Sequence, residues 1–339
     1  MLKEKIADRL LSSAKSIGTD RSRCLRMRYN RNSCSECTGM CRPGAISIDE
    51  DVHIISENCS ECMLCVSACP ADCLDMQSFD FYSVLARLRR IKNLVPVPVL
   101  GCNIKNDLQA HVKTPCLGFL SEEHILSLSV FLDTGLHINM TECGRCKNSF
   151  IVDVIEGRVK NIKAKNLNLP GNISLINDGK DLGYGDAGYD RRGFFSTVKN
   201  LTFLQATEFF ERDDTAWASR SYSDKKLPAK REFLNRILAY KKSNNSGLLE
   251  NYYFTVHASE DCDNCFACVG MCPSGALKIE AAGEGRKLSF SSALCNGCSL
   301  CRNFCFRGAL RIEKGFSGVN PFEYVSLHIS TNDRNTGEY

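Results

Sequence analysis

The sequence has no apolar run long enough to cross a membrane. Its strongest stretches, "LVPVPVLGC" and "ILSLSVFL", fall well short of the roughly 20 residues a spanning helix needs. The opening "MLKEKIADRLLSSAKS" lacks the continuous apolar segment of a secretory signal and instead shows helical spacing at Ile6, Leu10 and Ile17. A twin-arginine stretch, "DRRGFFSTV" at 190–198, lies deep inside the chain and reads as the start of an ordinary helix. A net charge of +4 is too small to indicate nucleic acid by itself. There is no Walker A run, no H-E-x-x-H, and no C-x3-C-x2-C of radical SAM enzymes. "GYGDAG" at 183–188 matches G-x-G-x-x-G, but "DGKDL" separates it from the preceding strand and Asp186 lies inside the loop. It therefore reads as a turn rather than a nucleotide cradle.

What the sequence does have is 21 cysteines in 339 residues. Disulfides explain such a count in a small secreted chain. This chain is neither small nor signalled for export, and most of its cysteines sit in C-x2-C steps, which suit a metal and make poor disulfide partners. The expectation is a cytoplasmic protein of an anaerobic setting. With 43% apolar and 24% charged residues, it can build cores, and its length suggests two or three domains.

The clearest motif lies near the C-terminus. "CDNCFACVGMCP" supplies Cys262, Cys265, Cys268 and Cys272; "CNGCSLCRNFCF" supplies Cys295, Cys298, Cys301 and Cys305. Each is C-x2-C-x2-C-x3-C. A short loop curls around one face of a cubane, and the fourth cysteine, expected at the start of the next helix, points to a second cubane. Crossed ligation follows: Cys262, Cys265, Cys268 and Cys305 for one [4Fe-4S] cluster, and Cys272, Cys295, Cys298 and Cys301 for the other. The segment resembles a bacterial-type two-cluster ferredoxin, with Phe306 in place of the second proline. Zinc is the alternative occupant, though it wants four thiolates rather than a doubled set.

The same unit recurs at the N-terminus. "CSECMLCVSACP" gives Cys59, Cys62, Cys65 and Cys69. Upstream, Cys34, Cys37 and Cys41 keep the spacing, but Arg31 stands where the first cysteine belongs. Cys24 lies ten residues before Cys34 and is the candidate for the displaced ligand, since an insertion costs only slowly growing loop entropy. The insert carries Arg26, Arg28 and Arg31, whose charge would favour a reduced cluster. The alternative is a [3Fe-4S] centre on three cysteines, with Cys24 a buried thiol. Crossing then gives Cys24, Cys34, Cys37 and Cys69 for one [4Fe-4S] cluster, and Cys41, Cys59, Cys62 and Cys65 for the other. Cys73 is left over and reads as a packed thiol.

Residues 94–178 alternate strand and helix patterns and predict a small α/β domain with a parallel sheet. "SEEHILSLSVFLDTG" reads as a helix capped by Ser121 and closed before Gly135. Ile151, Val154, Ile155, Val159 and Ile162 share another helical face. Cys102, Cys116, Cys143 and Cys146 follow predicted strands, the edge where such domains gather their sites. Their C-x13-C-x26-C-x2-C spacing is not the cubane repeat. The stretch from Val112 to Asn148 is similar to the small [2Fe-2S] delta subunit of methyl-viologen-reducing hydrogenase assemblies. That resemblance implies a [2Fe-2S] centre; another [4Fe-4S], zinc, or a thioredoxin-like pair at Cys143 and Cys146 fit the thiol count too.

The expected architecture is α+β with an α/β insert. Two ferredoxin-like 2[4Fe-4S] modules, residues 1–93 and 251–339, flank a central α/β metal-binding domain (94–180) and a helical connector (181–250). In the connector, Phe194, Val198 and Leu201 fit one helix. Phe233, Ile237 and Leu238 fit a second, opened by Pro228. The span from Lys225 to Lys242 holds seven basic residues against Glu232 and reads either as a solvated face or as a dock for an acidic partner. The functional expectation is an iron–sulfur electron-transfer subunit of a multi-subunit cytoplasmic oxidoreductase. Its expected partners are a flavoprotein or hydrogenase-like or heterodisulfide-reductase-like subunits, with no nucleic acid and no membrane span. A reductase using the central cysteines, or a freely diffusing polyferredoxin, are the alternatives.

Overall fold

The structure, a computed structural model, describes residues 17–77, 79–103, 107–165, 167–185, 221–241, 246–283 and 285–327. The twin-arginine stretch, the last part of "GYGDAG", and the helix expected around Phe194, Val198 and Leu201 lie outside these residues. So does the N-terminal helical pattern, except that Ile17 opens a strand.

One strand pairing occurs twice. In the first third, β1 (Ile17–Thr19) pairs antiparallel with β4 (Leu74–Met76), and β2 (Ile46–Ile48) with β3 (Val52–Ile54). In the last third, β9 (Phe254–Ala258) pairs with β12 (Leu310–Lys314), and β10 (Leu277–Ala282) with β11 (Gly285–Phe290), to which β13 (Val325–Ser326) adds an edge. First strand with fourth, second with third: the chain leaves the outer pair, turns through the inner hairpin and returns. Each half therefore makes two excursions between its pairs, and the cysteine runs lie in them. The short helices there are α1 (Leu25–Arg28), α2 (Glu36–Met40) and α3 (Leu64–Ala68) in the first half. Their counterparts in the last third are α9 (Ala267–Met271) and α10 (Leu300–Phe304).

The middle is a four-stranded sheet in the order β6-β5-β7-β8, parallel throughout, as the alternating pattern predicted. Its strands are β5 (Val99–Cys102), β6 (Val112–Thr114), β7 (Leu136–Asn139) and β8 (Ile173–Ile176). Parallel neighbours need crossovers. Helices α5 (Glu122–Leu132) and α6 (Ile151–Ala164) stand between the strands, and α4 (Phe81–Ile91) precedes them. Ser121 caps α5, accepting from His124 N while its own N–H donates to His124 Nδ1. The helix ends on left-handed Asp133 (φ 50°), two residues before the expected Gly135. Helix α6 buries Ile151, Ile155, Val159 and Ile162.

Helix α7 (Ala229–Lys241) begins directly after Pro228 and packs on α5; α8 (Ser246–Tyr252) follows. Phe233, Leu234, Ile237 and Leu238 are each at most 3% exposed, and each contributes about 1.5–3 kcal/mol of burial. One apolar core thus runs from Ile17 through the parallel sheet to Tyr253. The last third has its own core around Val256, Leu288 and Phe290. A small cluster of Leu25, Ala71 and Leu300 joins the two halves, with Cys34, Met271 and Cys298 against it. Among the described residues, no helix is long and apolar enough to cross a membrane.

Candidate metal centres

The cysteine loops share an unusual backbone. In Cys59–Cys65, Cys262–Cys268 and Cys295–Cys301, the residues on either side of the second cysteine are left-handed: Glu61 and Met63, Asn264 and Phe266, Gly297 and Ser299. Five of these six are not glycine. A left-handed L-residue is costly and persists only where its surroundings enforce it. Alternation of right- and left-handed residues turns successive amide N–H groups inward, the nest that favours anions and iron–sulfur groups. The third cysteine lies in the following one-turn helix. The fourth closes that helix as its C-cap, at Cys69, Cys272 and Cys305, rather than opening the next one as expected. A tight loop and a single turn leave no room for a second helix start.

The fold gathers the predicted thiols into five neighbourhoods. Cys37 has Cys69, Cys34 and Cys24 as electrostatic neighbours. Cys65 has Cys62, Cys41 and Cys59, and these four line one hollow of about 340 Å³. Cys143 has Cys102, Cys116 and Cys146. Cys268 has Cys262, Cys265 and Cys305, lining a hollow of about 420 Å³. Cys301 has Cys298, Cys272 and Cys295, lining one of about 300 Å³. In both outer thirds, the fourth cysteine of one run joins the first three of the other.

Burial and mutual repulsion act together on these groups. Desolvation, then the neighbouring thiols, pushes Cys37, Cys143 and Cys268 each up to about 12. Burial raises Cys298 to about 12 and Cys116 and Cys295 to about 11. As bare side chains these are neutral thiols at pH 7. A metal group that binds thiolates expels those protons. Among the described residues, no group of three or more His, Cys, Asp or Glu side chains is placed to hold a single metal ion. Zinc would draw four sulfurs to about 2.3 Å from one point, whereas a cubane spreads its ligands over four irons. Three of the five sets combine a hollow lined by four thiols with a left-handed amide nest.

The irregular first run departs from the others where the sequence does. Ser35, after its second cysteine, has φ −131°, and no residue from Cys24 to Cys41 is a left-handed non-glycine. One contact is nevertheless conserved in kind. Asn32 Oδ1 accepts from Cys34 N at 3.0 Å, as Asp263 Oδ1 does from Cys265 N and Asn296 Oδ1 from Cys298 N. Cys24 is 8% exposed and N-caps α1. Cys73, the leftover thiol, touches it. Their mutual interaction lowers Cys24 and, with burial, raises Cys73.

Sequence reasoning passed over two features. Asn148 is 1% exposed and ties two neighbourhoods together: its Nδ2 donates to Ser60 O at 3.1 Å and faces Cys116 Sγ at 3.9 Å, while its N–H points to Cys146 Sγ. Only its place two residues after Cys146 could have flagged it. Gly118 lies so close to the Cys59–Cys65 loop that a Cβ there would fall 2.0 Å from Cys62 O. The basic segment is divided: Lys225 and Lys226 are exposed, whereas two of its cations are not. Lys230 and Arg231 are 8% and 3% exposed. Lys230 Nζ donates to Ser67 O and Cys69 O, and Arg231 pairs with Glu123 at 3.3 Å and lies over the Tyr253 ring. Lys230 thus pins α7 to the Cys59–Cys69 loop, and Arg231 pins it to α5 and Tyr253. Compared with known proteins, the chain has no match among family models, curated proteins or solved structures.

Proposed function

We propose that this chain is an iron–sulfur electron-transfer protein. In this reading the outer thirds are ferredoxin-like modules with four [4Fe-4S] clusters. Their ligands are Cys24, Cys34, Cys37 and Cys69; Cys41, Cys59, Cys62 and Cys65; Cys262, Cys265, Cys268 and Cys305; and Cys272, Cys295, Cys298 and Cys301. Cys102, Cys116, Cys143 and Cys146 hold a fifth centre, a [2Fe-2S]. The single observation that carries the reading is that twenty of the 21 cysteines gather into five sets of four. Such clusters supply one-electron redox chemistry at potentials set by charge, hydrogen bonds to sulfur and exposure. The chain's residues bury or half-bury all of these cysteines but Cys265 and set left-handed amide nests in three of the loops.

The neighbourhoods also adjoin in series, which supports a conduit. Cys268 is a neighbour of Cys301, Cys298 and Cys34 share the small apolar cluster, Cys37 is a neighbour of Cys65, and Cys62 of Cys116. The setting, a multi-subunit oxidoreductase with a flavoprotein or a hydrogenase-like or heterodisulfide-reductase-like partner, rests on analogy with proteins that carry such relays. Anaerobic iron and sulfide analysis tests the reading. Standard cluster sizes at these sets sum to about eighteen irons per chain. Stoichiometric zinc at the central set, or a count near ten, would contradict it.

A further inference from the structure

We propose that Lys225 and Lys230 set the reduction potential of the two centres that face each other across the halves, one on Cys272 and one on Cys69. The inference rests on the iron–sulfur reading above and adds to it which centres hold the electron and which residues decide this.

Helices α3 and α9 are single turns ending on Cys69-Pro70 and Cys272-Pro273. Their last carbonyls have no partner within so short a helix. In each half a lysine from one linking segment supplies it. Lys230 Nζ donates to Ser67 O and Cys69 O, both at 2.8 Å. Lys225 Nζ donates to Gly270 O and Cys272 O at 2.7 Å and to Val269 O at 3.1 Å. The two ammonium groups come from positions five apart, yet each reaches the carbonyl of the fourth cysteine of a different half. Two arginines reinforce them. Arg23 Nε donates to Ala71 O at 2.5 Å. Arg28 donates to Ser22 O and Tyr222 O and has Cys272 and Cys298 as electrostatic neighbours.

The opposing charges near Lys230 are Asp72 and Glu123, and Arg23 and Arg231 accompany it. Arg158 also reaches Ser67 Oγ, at 2.9 Å, and at Cys69 itself the Asp72 carboxylate opposes Lys230, so Lys230 is the charge that offsets a buried anion beside this centre. At the outer C-terminal set the exposed loop pair is Arg307 with Asp263, whose charges cancel. Reduction adds one electron to a centre and breaks no bond, so a fixed cation beside one centre favours its reduced form. Low surrounding dielectric strengthens the effect at buried Lys230, while Lys225, on an exposed stretch, is screened by salt. The two inner centres are therefore the sink of the series, and electrons entering from either end collect between Leu25 and Leu300.

The test is a potentiometric titration of the anaerobically prepared full chain, followed by EPR, after iron content is measured. In the wild type, two centres reduce before the rest. Lys230→Met should keep its iron and lower one of these two potentials, so that the reduced-to-oxidised ratio at fixed ambient potential falls about tenfold, about 59 mV for a one-electron couple. Lys230→Arg should restore it, and Lys225→Met should lower the other centre by an amount that shrinks as salt rises. Full iron with unmoved potentials in both Met variants overturns the proposal. If Lys230→Met loses iron, the exposed Lys225→Met decides by the same criterion. Wild-type protein without iron would overturn the iron–sulfur reading itself, a result separate from unmoved potentials.

Discussion

At the scale of single residues, Cys24 and Cys73 matter most. Both are buried and lie against each other; Cys24 neighbours Cys34 and Cys37, while Cys73 neighbours Cys69 and Cys37, so the two compete for the fourth place in this set and the sequence spacing favours Cys24. Cys24→Ser should remove one cluster, about four irons, or leave a [3Fe-4S] centre. Cys73→Ser should keep every iron. Iron analysis and EPR of the two variants check this; a Cys24→Ser protein with wild-type iron and spectrum would return Cys24 to the role of a buried thiol.

At the scale of elements, the contact between the turn Leu117–Phe119 and helix α3 joins the first third to the parallel sheet. Gly118 O accepts from Ser67 Oγ at 2.8 Å, and the missing Cβ of Gly118 is what lets Cys62 O approach. Gly118→Ala should cost about 1–3 kcal/mol, as overpacking does, and lower the denaturant midpoint under anoxia. Helix α5 supplies a pH handle. Burial pushes His124 down to about 3, against about 6.5 for a free imidazole. Between those values the unfolded chain binds a proton that the native chain refuses, so stability falls as pH drops below about 6.5, approaching about 1.4 kcal/mol per unit. Urea midpoints at pH 7.5 and 5.5 should differ less in His124→Gln than in the wild type. An equal difference would show that His124 is not the group responsible.

At the scale of the whole molecule, five adjoining thiol sets predict a chain that is reduced but turns over nothing alone. The isolated protein should exchange electrons with artificial dyes and show neither hydrogenase nor disulfide-reductase activity. Turnover abolished by Cys143→Ser or Cys146→Ser would instead make the central cysteines catalytic. Reversing Arg231 to glutamate should destabilise the fold, since removing one partner of its buried ion pair with Glu123 costs about 3–5 kcal/mol. The readout is again the denaturant midpoint.

Much of this was legible in the sequence. A C-x2-C-x2-C-x3-C run brings its own cysteines together, because so short a loop has few ways to lie, and strand–helix alternation from residue 94 foretold the parallel sheet. The caps at Ser121 and Pro228 and the stripe from Ile151 to Ile162 are equally local and came through at their positions. The tertiary structure alone decided what depends on contacts between distant segments. It set Cys73 against Cys24, Gly118 against Cys62 and Asn148 between two thiol sets, and it laid the basic stretch 225–231 along the cysteine loops. A lysine's sequence neighbours say whether it sits on a helix; which carbonyl it satisfies depends on how that helix is packed, and packing is settled by the burial of Phe233, Leu234 and Ile237 against a core built from the rest of the chain.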